Sequence, residues 1–348
     1  MGTAGVPFGQ MPDKKMAQLF TLESGALRVR VTDFGGRIVS TEMRDRDGNW
    51  FDVLLGFDDV AAYARSGGSF GALLGRNANR IARGELVIDG GVYQLATNDR
   101  GATLHGGLHG FNKLFWDVVS AGRDELVLTY VSPDGDQGFP GELRTEARYR
   151  VAGAALSLEL RAEASAPTVA SLSAHPYFNL AGAASGDILD HEVTIAADAF
   201  LPTNETQIPT GEIRPVVGTP FDFRKATAVG TRILQGDPQL LNGRGYDHYY
   251  VLGPRTGEMP RFAARARDPK SGRFVEIRTT QRGLQFYTGN QLNGSVTGRG
   301  GVAYRQSAGL AFEPQGFPDA PHHANFPTTI LRPGEVYREL IEYRFGIE

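Results

Sequence analysis

The chain has 348 residues, no cysteine, and a formal net charge of -3 at pH 7 from 36 Lys and Arg against 39 Asp and Glu. Without cysteine, a disulfide framework, a thiolate zinc site and a cysteine nucleophile are excluded; with cations scattered along the chain, a basic stripe for nucleic acid and a polybasic membrane patch are excluded too. No apolar run approaches a membrane span and the opening MGTAGVPFGQMPDKK lacks the apolar core of a secretory leader, so a cytoplasmic protein is expected, with a periplasm also compatible.

The first 15 or so residues show no pattern and are expected to form a disordered N-terminal extension. Beyond them no composition shift marks a boundary and no fixed-period repeat appears, which predicts one domain over residues 1–348. Leu27-Arg28-Val29-Arg30-Val31 alternates apolar and polar, as do Leu156–Leu160, Phe274–Arg278 and, less regularly, Val336–Phe345. A period of two predicts strands with one face buried. Turn signals separate them at Asp47-Gly48, Asp89-Gly90-Gly91, Asn242-Gly243 and Pro333-Gly334. The one helical stretch is short, Asp58 to Arg65, with Asp58 or Asp59 at its cap. No phosphate-binding glycine loop of the required spacing occurs. The predicted fold is all-β, a large antiparallel β-sandwich with few short helices.

Several segments place reactive or polar side chains on the non-core faces of such strands. In Gly75-Arg76-Asn77-Ala78-Asn79-Arg80-Ile81 two arginines and two asparagines offer fork donors and amides suited to polyols, or else a turn held by its asparagines. His105 lies in Leu104-His105-Gly106-Gly107, where glycines permit close approach. In Ser171–Leu180, His175 shares a face with Ser171 and Ser173, and Pro176 marks an edge or bulge; a proton donor and a structural histidine are both open readings. Asp247, between aromatics, reads as a loop residue that binds a ligand or caps a turn. Gln285 and Tyr287 face one way along Gly283–Asn290 and Leu284 and Phe286 the other. Glu313, in Leu310-Ala311-Phe312-Glu313-Pro314, points away from Leu310 and Phe312 beside small neighbours; a general base and a strand-end glutamate in a surface ion pair are both compatible. His322 and His323 are adjacent and point apart on an extended chain, and no metal-ligand spacing is present, so no metal is expected.

Taken in order, Gly75–Ile81, Leu104–Gly107, Ser132-Pro133-Asp134-Gly135-Asp136-Gln137-Gly138-Phe139-Pro140-Gly141, His175-Pro176-Tyr177-Phe178-Asn179-Leu180, Gly283–Asn290, Glu313-Pro314-Gln315, Phe317-Pro318-Asp319-Ala320 and Pro333-Gly334-Glu335 resemble the galactose mutarotase (aldose 1-epimerase) family, from about Thr21 to the C-terminus. The resemblance implies a β-supersandwich with its site in an open cleft across a sheet, Glu313 as catalytic base and His175 as catalytic acid. It implies Asn79, Arg80, His105, Asp247 and Gln285 as sugar-binding residues and a monosaccharide as the partner of a monomer or homodimer. The family often has Asn before this histidine and Ser or Thr after it, whereas Ala174 and Pro176 stand here. Opening a hemiacetal leaves no charge on the aldehyde, so neither cofactor nor metal is expected. Three other readings compete: a glycoside hydrolase using Glu313 and Asp247, a non-catalytic carbohydrate-binding protein, and a hexose-6-phosphate epimerase with Arg76 or Arg299 on the phosphate.

Overall fold

A computed structural model describes residues 4–255 and 257–348. Its backbone is a nine-stranded antiparallel sheet backed by smaller sheets. The large sheet runs in the order Asp117–Ala121, Glu125–Ser132, Leu143–Ala152, Ala155–Ala164, Tyr337–Ile347, Arg273–Thr279, Arg261–Arg267, Glu192–Ile195 and Thr227–Ala228. The predicted alternation at Leu156–Leu160, Phe274–Arg278 and Val336–Phe345 corresponds to its three central strands. Leu156, Leu158, Leu160, Val275, Ile277, Ile341 and Tyr343 enter the core from one face, while arginines and glutamates pair along the other, as in Arg278 with Glu276 and Arg338 with Glu159.

The second layer is a five-stranded antiparallel sheet of Arg214–Pro215, Ala199–Leu201, Asp247–Val251, Gly283–Tyr287 and Ala311–Gln315, in that order. Leu284, Phe286, Leu310 and Phe312 turn into the shared core, where Phe286 stacks on Phe312 at 5.2 Å between centroids. Phe178 contacts Tyr343 at 5.8 Å and ties the layers together. Aromatic rings filling the space between two sheets make this the expected β-sandwich. The opposite face of the smaller sheet is left for a cleft.

Three expectations are corrected. The N-terminal segment is not wholly a disordered extension: Val6–Gln10 pairs with Met16–Glu23, and Phe8 is buried against Tyr63. Residues 1–3 of that expectation lie outside the described residues. Asn242-Gly243 is not a free turn but the end of a helix, Pro238–Gly243, capped by Asp237, which accepts the Gln239 N–H; six residues are too few to show a helical period. Asp247 is not on a loop but begins the Asp247–Val251 strand. The expected helix spans Val60–Ser66, and Asp59 is its cap, accepting the Ala62 N–H at 2.7 Å.

Candidate active site

Strand alternation places the acidic and amide side chains. On Ala311–Gln315, Phe312 takes the core side and Glu313 the other. Gln285 lies directly across from Glu313, and Tyr287 from Ala311; Asp247 lies across from Tyr287 on the next strand. His175 arrives from outside this sheet, just after the short strand Ser173–Ala174, and its N–H donates to the Ala72 carbonyl at 2.9 Å. Leu172 and Ala174 pack into the core, which leaves His175 on the side of Glu313. The His175 Nε2 stands 3.4 Å from Glu313 Oε1, with side chains 6% and 3% exposed. Two residues far apart in sequence thus share one buried position, and the reading of Glu313 as a surface ion pair does not survive.

The loops at 75–81 and 104–107 close one side. Gly106 is essential there, because a Cβ would stand 1.9 Å from the Gly75 carbonyl oxygen. Asn79 and His105 both have positive φ, 64° and 51°, and they hold each other. The Asn79 N–H donates to His105 Nδ1 at 3.1 Å, and the His105 N–H donates to the Asn79 carbonyl at 3.1 Å. With Nδ1 accepting, the ring proton sits on Nε2. Ligand atoms of His105, His175 and Glu313 lie within 4.8 Å of one another, a cluster assembled across strands that no spacing reveals. An Nε2–H is a donor and not a lone pair, so His105 suits a sugar hydroxyl and does not fit a metal.

A polar chain runs along the floor. Arg80 Nε donates to Asp99 at 2.8 Å and its terminal nitrogen to Gln207 Oε1 at 3.0 Å. Gln207 Nε2 donates to Asp247 Oδ2 at 2.8 Å, and Gln285 Nε2 to Asp247 Oδ1 at 2.7 Å. The cleft holds about 180 Å³ and is lined by Asn79, Arg80, His105, His175, Asp247 and Glu313 together with Ser69, Tyr177, Tyr287 and Gln291. Tyr177 stacks on the His175 ring at 4.6 Å. Gln285 is buried beside the cleft, and its amide serves Asp247.

Burial dominates the electrostatics. Desolvation, reinforced by Asp247 and partly offset by Arg80, holds Glu313 well above the ordinary carboxylate range. Desolvation lowers His175 to about 4 and His105 well below its usual value, with His175 and Arg80 adding to the latter. Asp247 is raised by desolvation, against the pull of Arg80 and its two amide donors. Burial therefore favours the uncharged forms of both groups, the carboxylic acid of Glu313 and the neutral imidazole of His175.

All seven predicted residues are brought to this one place, six lining the cleft and Gln285 behind Asp247. Sequence reasoning does not find Gln207 or the two tyrosines. Tyr287 carries a signal, since it alternates with Gln285; Gln207 carries none, because its turn and its inward aim arise only in three dimensions. The two arginines offered for a phosphate lie elsewhere. Arg76 is buried and donates to Ser132, Pro133, Pro140 and Gly141. Arg299 is spent on Asp52 and on backbone carbonyls of Val39 and Phe57. His322 and His323 both turn toward the buried Asp319, at 2.6 Å and 3.3 Å, so they do not simply point apart.

Known proteins share the sequence and the fold over nearly the whole chain. A family-wide profile described as aldose 1-epimerase matches residues 18–344. The chain is 43% identical over 343 residues to galactose mutarotase of Bos taurus, covering 98% of this chain and 97% of the relative. It is 36% identical over 341 residues to aldose 1-epimerase of Escherichia coli K12, covering 97% of each. Among solved structures, an aldose epimerase homologue from C. elegans superposes with a TM-score of 0.87 at 27% identity, over 95% of this chain and 99% of that one. Galactose 1-epimerase from Lactobacillus acidophilus superposes with a TM-score of 0.85 at 26% identity, over 99% and 98%.

Proposed function

The chain belongs to the aldose 1-epimerase family and interconverts the α and β anomers of free aldoses such as galactose or glucose; within that activity we propose that Glu313 is the base and His175 the acid. The observation that carries the assignment is the 3.4 Å approach of His175 Nε2 to Glu313 Oε1 in a buried cleft walled by hydroxyl- and amide-binding groups.

The chemistry follows from the hemiacetal. An ionised Glu313 takes the proton of the anomeric hydroxyl while protonated His175 gives one to the ring oxygen, and the C1–O5 bond breaks. The open-chain aldehyde turns about C1–C2, and the ring closes on the other carbonyl face with the two groups in exchanged roles. The number of protons on the pair is the same at start and finish. Before the sugar enters, burial favours the proton on Glu313 over His175. Hydroxyls donating to the carboxylate and a ring oxygen accepting from the imidazole each favour the charged forms, so sugar binding moves the shared proton from Glu313 to His175 without exchange with solvent. Asn79, Arg80, His105 and Asp247 hold the ring hydroxyls, with Gln285 orienting Asp247. This reading treats the protein as a cytoplasmic enzyme with a monosaccharide as its partner.

Polarimetry on freshly dissolved α-galactose and α-glucose tests the whole reading. The protein speeds the drift in rotation, and Glu313→Gln or His175→Asn slows kcat on the order of 10²–10⁴-fold. Near-full activity in either variant would reject the pair. Release of an aryl aglycone from a glycoside would instead favour a hydrolase, and preference for the 6-phosphate a sugar-phosphate epimerase.

A further inference from the structure

Resting on that reading of the cleft, we propose that Gln207 is a positioning residue, a neutral spacer that keeps Arg80 off Asp247 and so leaves the Asp247 carboxylate free to receive ring hydroxyls of the aldose.

An arginine and an aspartate lining one small cleft would ordinarily pair, since a guanidinium fork matches a carboxylate in shape and charge. Among the described residues the Arg80 ion pair is made to Asp99 instead. Gln207 fills the space between, accepting from Arg80 at 3.0 Å and donating to Asp247 at 2.8 Å. The direction of its amide is fixed, because Arg80 has only donors. No hydrocarbon side chain bridges a donor and an acceptor in this way, and a carboxylate in its place would repel Asp247.

The backbone is built to deliver this side chain. Gln207 has φ 63° in a turn where its N–H donates to the Asn204 carbonyl at 2.9 Å. Asn204 Oδ1 accepts from Thr206 and Ile208 and braces the turn. Ile208 is buried with Ala82 and Ala102, which pins the far side of the loop to the segment that follows Arg80. Gln207 is 3% exposed, so it is an interior part of the wall. Each Asp247 oxygen then takes one amide N–H, from Gln207 and from Gln285. A carboxylate has about four acceptor sites, so about half its acceptor capacity remains for hydroxyls. An Arg80 fork laid on it would consume that capacity.

The consequence reaches Glu313 through charge. Facing Glu313 are His175 and Tyr177 from one segment, Asp247 and Tyr287 from the neighbouring strands, Arg80 and His105 from the loops, and Tyr343 from the sheet below. Of these, Asp247 strengthens and Arg80 weakens the hold of Glu313 on its proton. If Arg80 collapses onto Asp247, the negative field at Glu313 is offset.

Two substitutions therefore move the enzyme in opposite directions. Gln207→Met keeps the size and removes both hydrogen bonds. It is expected to raise KM for free galactose and glucose about tenfold, the cost of about one charge-assisted hydrogen bond, with a much smaller change in kcat. It also moves the alkaline limb of kcat/KM to lower pH. Gln207→Glu adds a negative charge beside Asp247, also raises KM, and moves the alkaline limb to higher pH. The measurement is polarimetry of wild type and both variants across pH, with thermal melts to confirm folding. Limbs that shift in the same direction in both variants, or unchanged KM in both, overturn the proposal. An inactive wild type overturns instead the underlying reading of Glu313 and His175. Should Gln207→Met fail to fold, the direction of the limb in Gln207→Glu still decides.

Discussion

The strands Asp247–Val251, Gly283–Tyr287 and Ala311–Gln315 present two unlike faces to the rest of the protein. Toward the large sheet they offer His248, Tyr250, Leu284, Phe286 and Phe312, which close against aromatic and aliphatic neighbours. Toward the cleft they offer Asp247, Gln285, Tyr287 and Glu313, largely hidden from solvent but polar. One face gains free energy by burial. The other surrenders some, because carboxyl groups are withdrawn from water and Glu313 Oε2 has no partner among the described residues. The same pleated backbone can hold both because the first face anchors the second. A site with displaced proton affinities requires a rigid support whose stability comes from elsewhere.

Substitutions on the two faces should separate activity from stability. The largest effect expected is on activity. Glu313→Gln removes the base and lowers kcat on the order of 10²–10⁴-fold, while its Tm stays at or above that of the wild type, since an amide needs no proton taken up on burial as a carboxylate does. A drop in Tm alongside the drop in rate would show that Glu313 is needed for folding and would blur the distinction between faces. One residue away, Phe312→Ala empties a position that is fully buried and stacked on Phe286. It should cost about 3–5 kcal/mol of stability, read by urea unfolding, yet at low temperature the folded variant should retain far more activity than Glu313→Gln. Equal losses of activity in the two would break the comparison.

A smaller effect is expected in the pH dependence of kcat/KM. The working form of the pair carries one proton, so activity is lost on the acid side as His175 protonates, near its lowered value of about 4. It is lost on the alkaline side as Glu313 gives up its proton, well above the usual carboxylate range. The bell belongs to the pair and not to either residue. A profile with an acid limb near the ordinary histidine value of about 6.5 would mean that the cleft is wetter than its burial indicates.

The two faces also differ in how legible they are in the sequence. Glu313, Gln285 and Tyr287 lie on strands, where a period of two assigns a side chain to a face, so the alternation alone suffices to put them off the core. His175 is readable in the same way from Ser171 and Ser173. That these strands meet is not readable: Gln285 and Glu313 are register partners, but registers are set by packing against the large sheet, which no local pattern encodes. The family resemblance supplies that convergence. Asp247 reads as a loop residue because its strand is short and aromatic on both sides. The helix at Pro238–Gly243 leaves no trace because six residues have no periodicity to detect. Val6–Gln10 is masked by Pro7 and Gly9, which read as breakers although the segment pairs along an edge, where such residues are tolerated.

The sharpest test of the anchoring face concerns its one titratable imidazole. His248 is fully buried between Phe221 and Phe200. Its Nδ1 accepts the Asp247 N–H at 3.1 Å, and its Nε2 lies 3.3 Å from Gln239 Oε1. Desolvation lowers it to about 3, with a small further push from Arg214. The folded value lies below the unfolded one of about 6.5, so the unfolded chain takes up a proton first as pH falls. The stability linked to this group is therefore complete above about 6.5 and is lost progressively down to about 3, at about 1.4 kcal/mol for each pH unit crossed. Replacing His248 by Asn, which keeps an acceptor near the Asp247 N–H, should lower stability at neutral pH and flatten the acid slope by up to one proton. Urea unfolding free energies between about pH 7 and about pH 4 measure both. His191 and His175, both lowered to about 4 by burial, and His105, also lowered, remain in the variant and contribute to the residual slope. An unchanged slope would mean that His248 takes up its proton as readily in the folded state as in the unfolded chain, with solvent reaching the inner face of the strand that begins with Asp247.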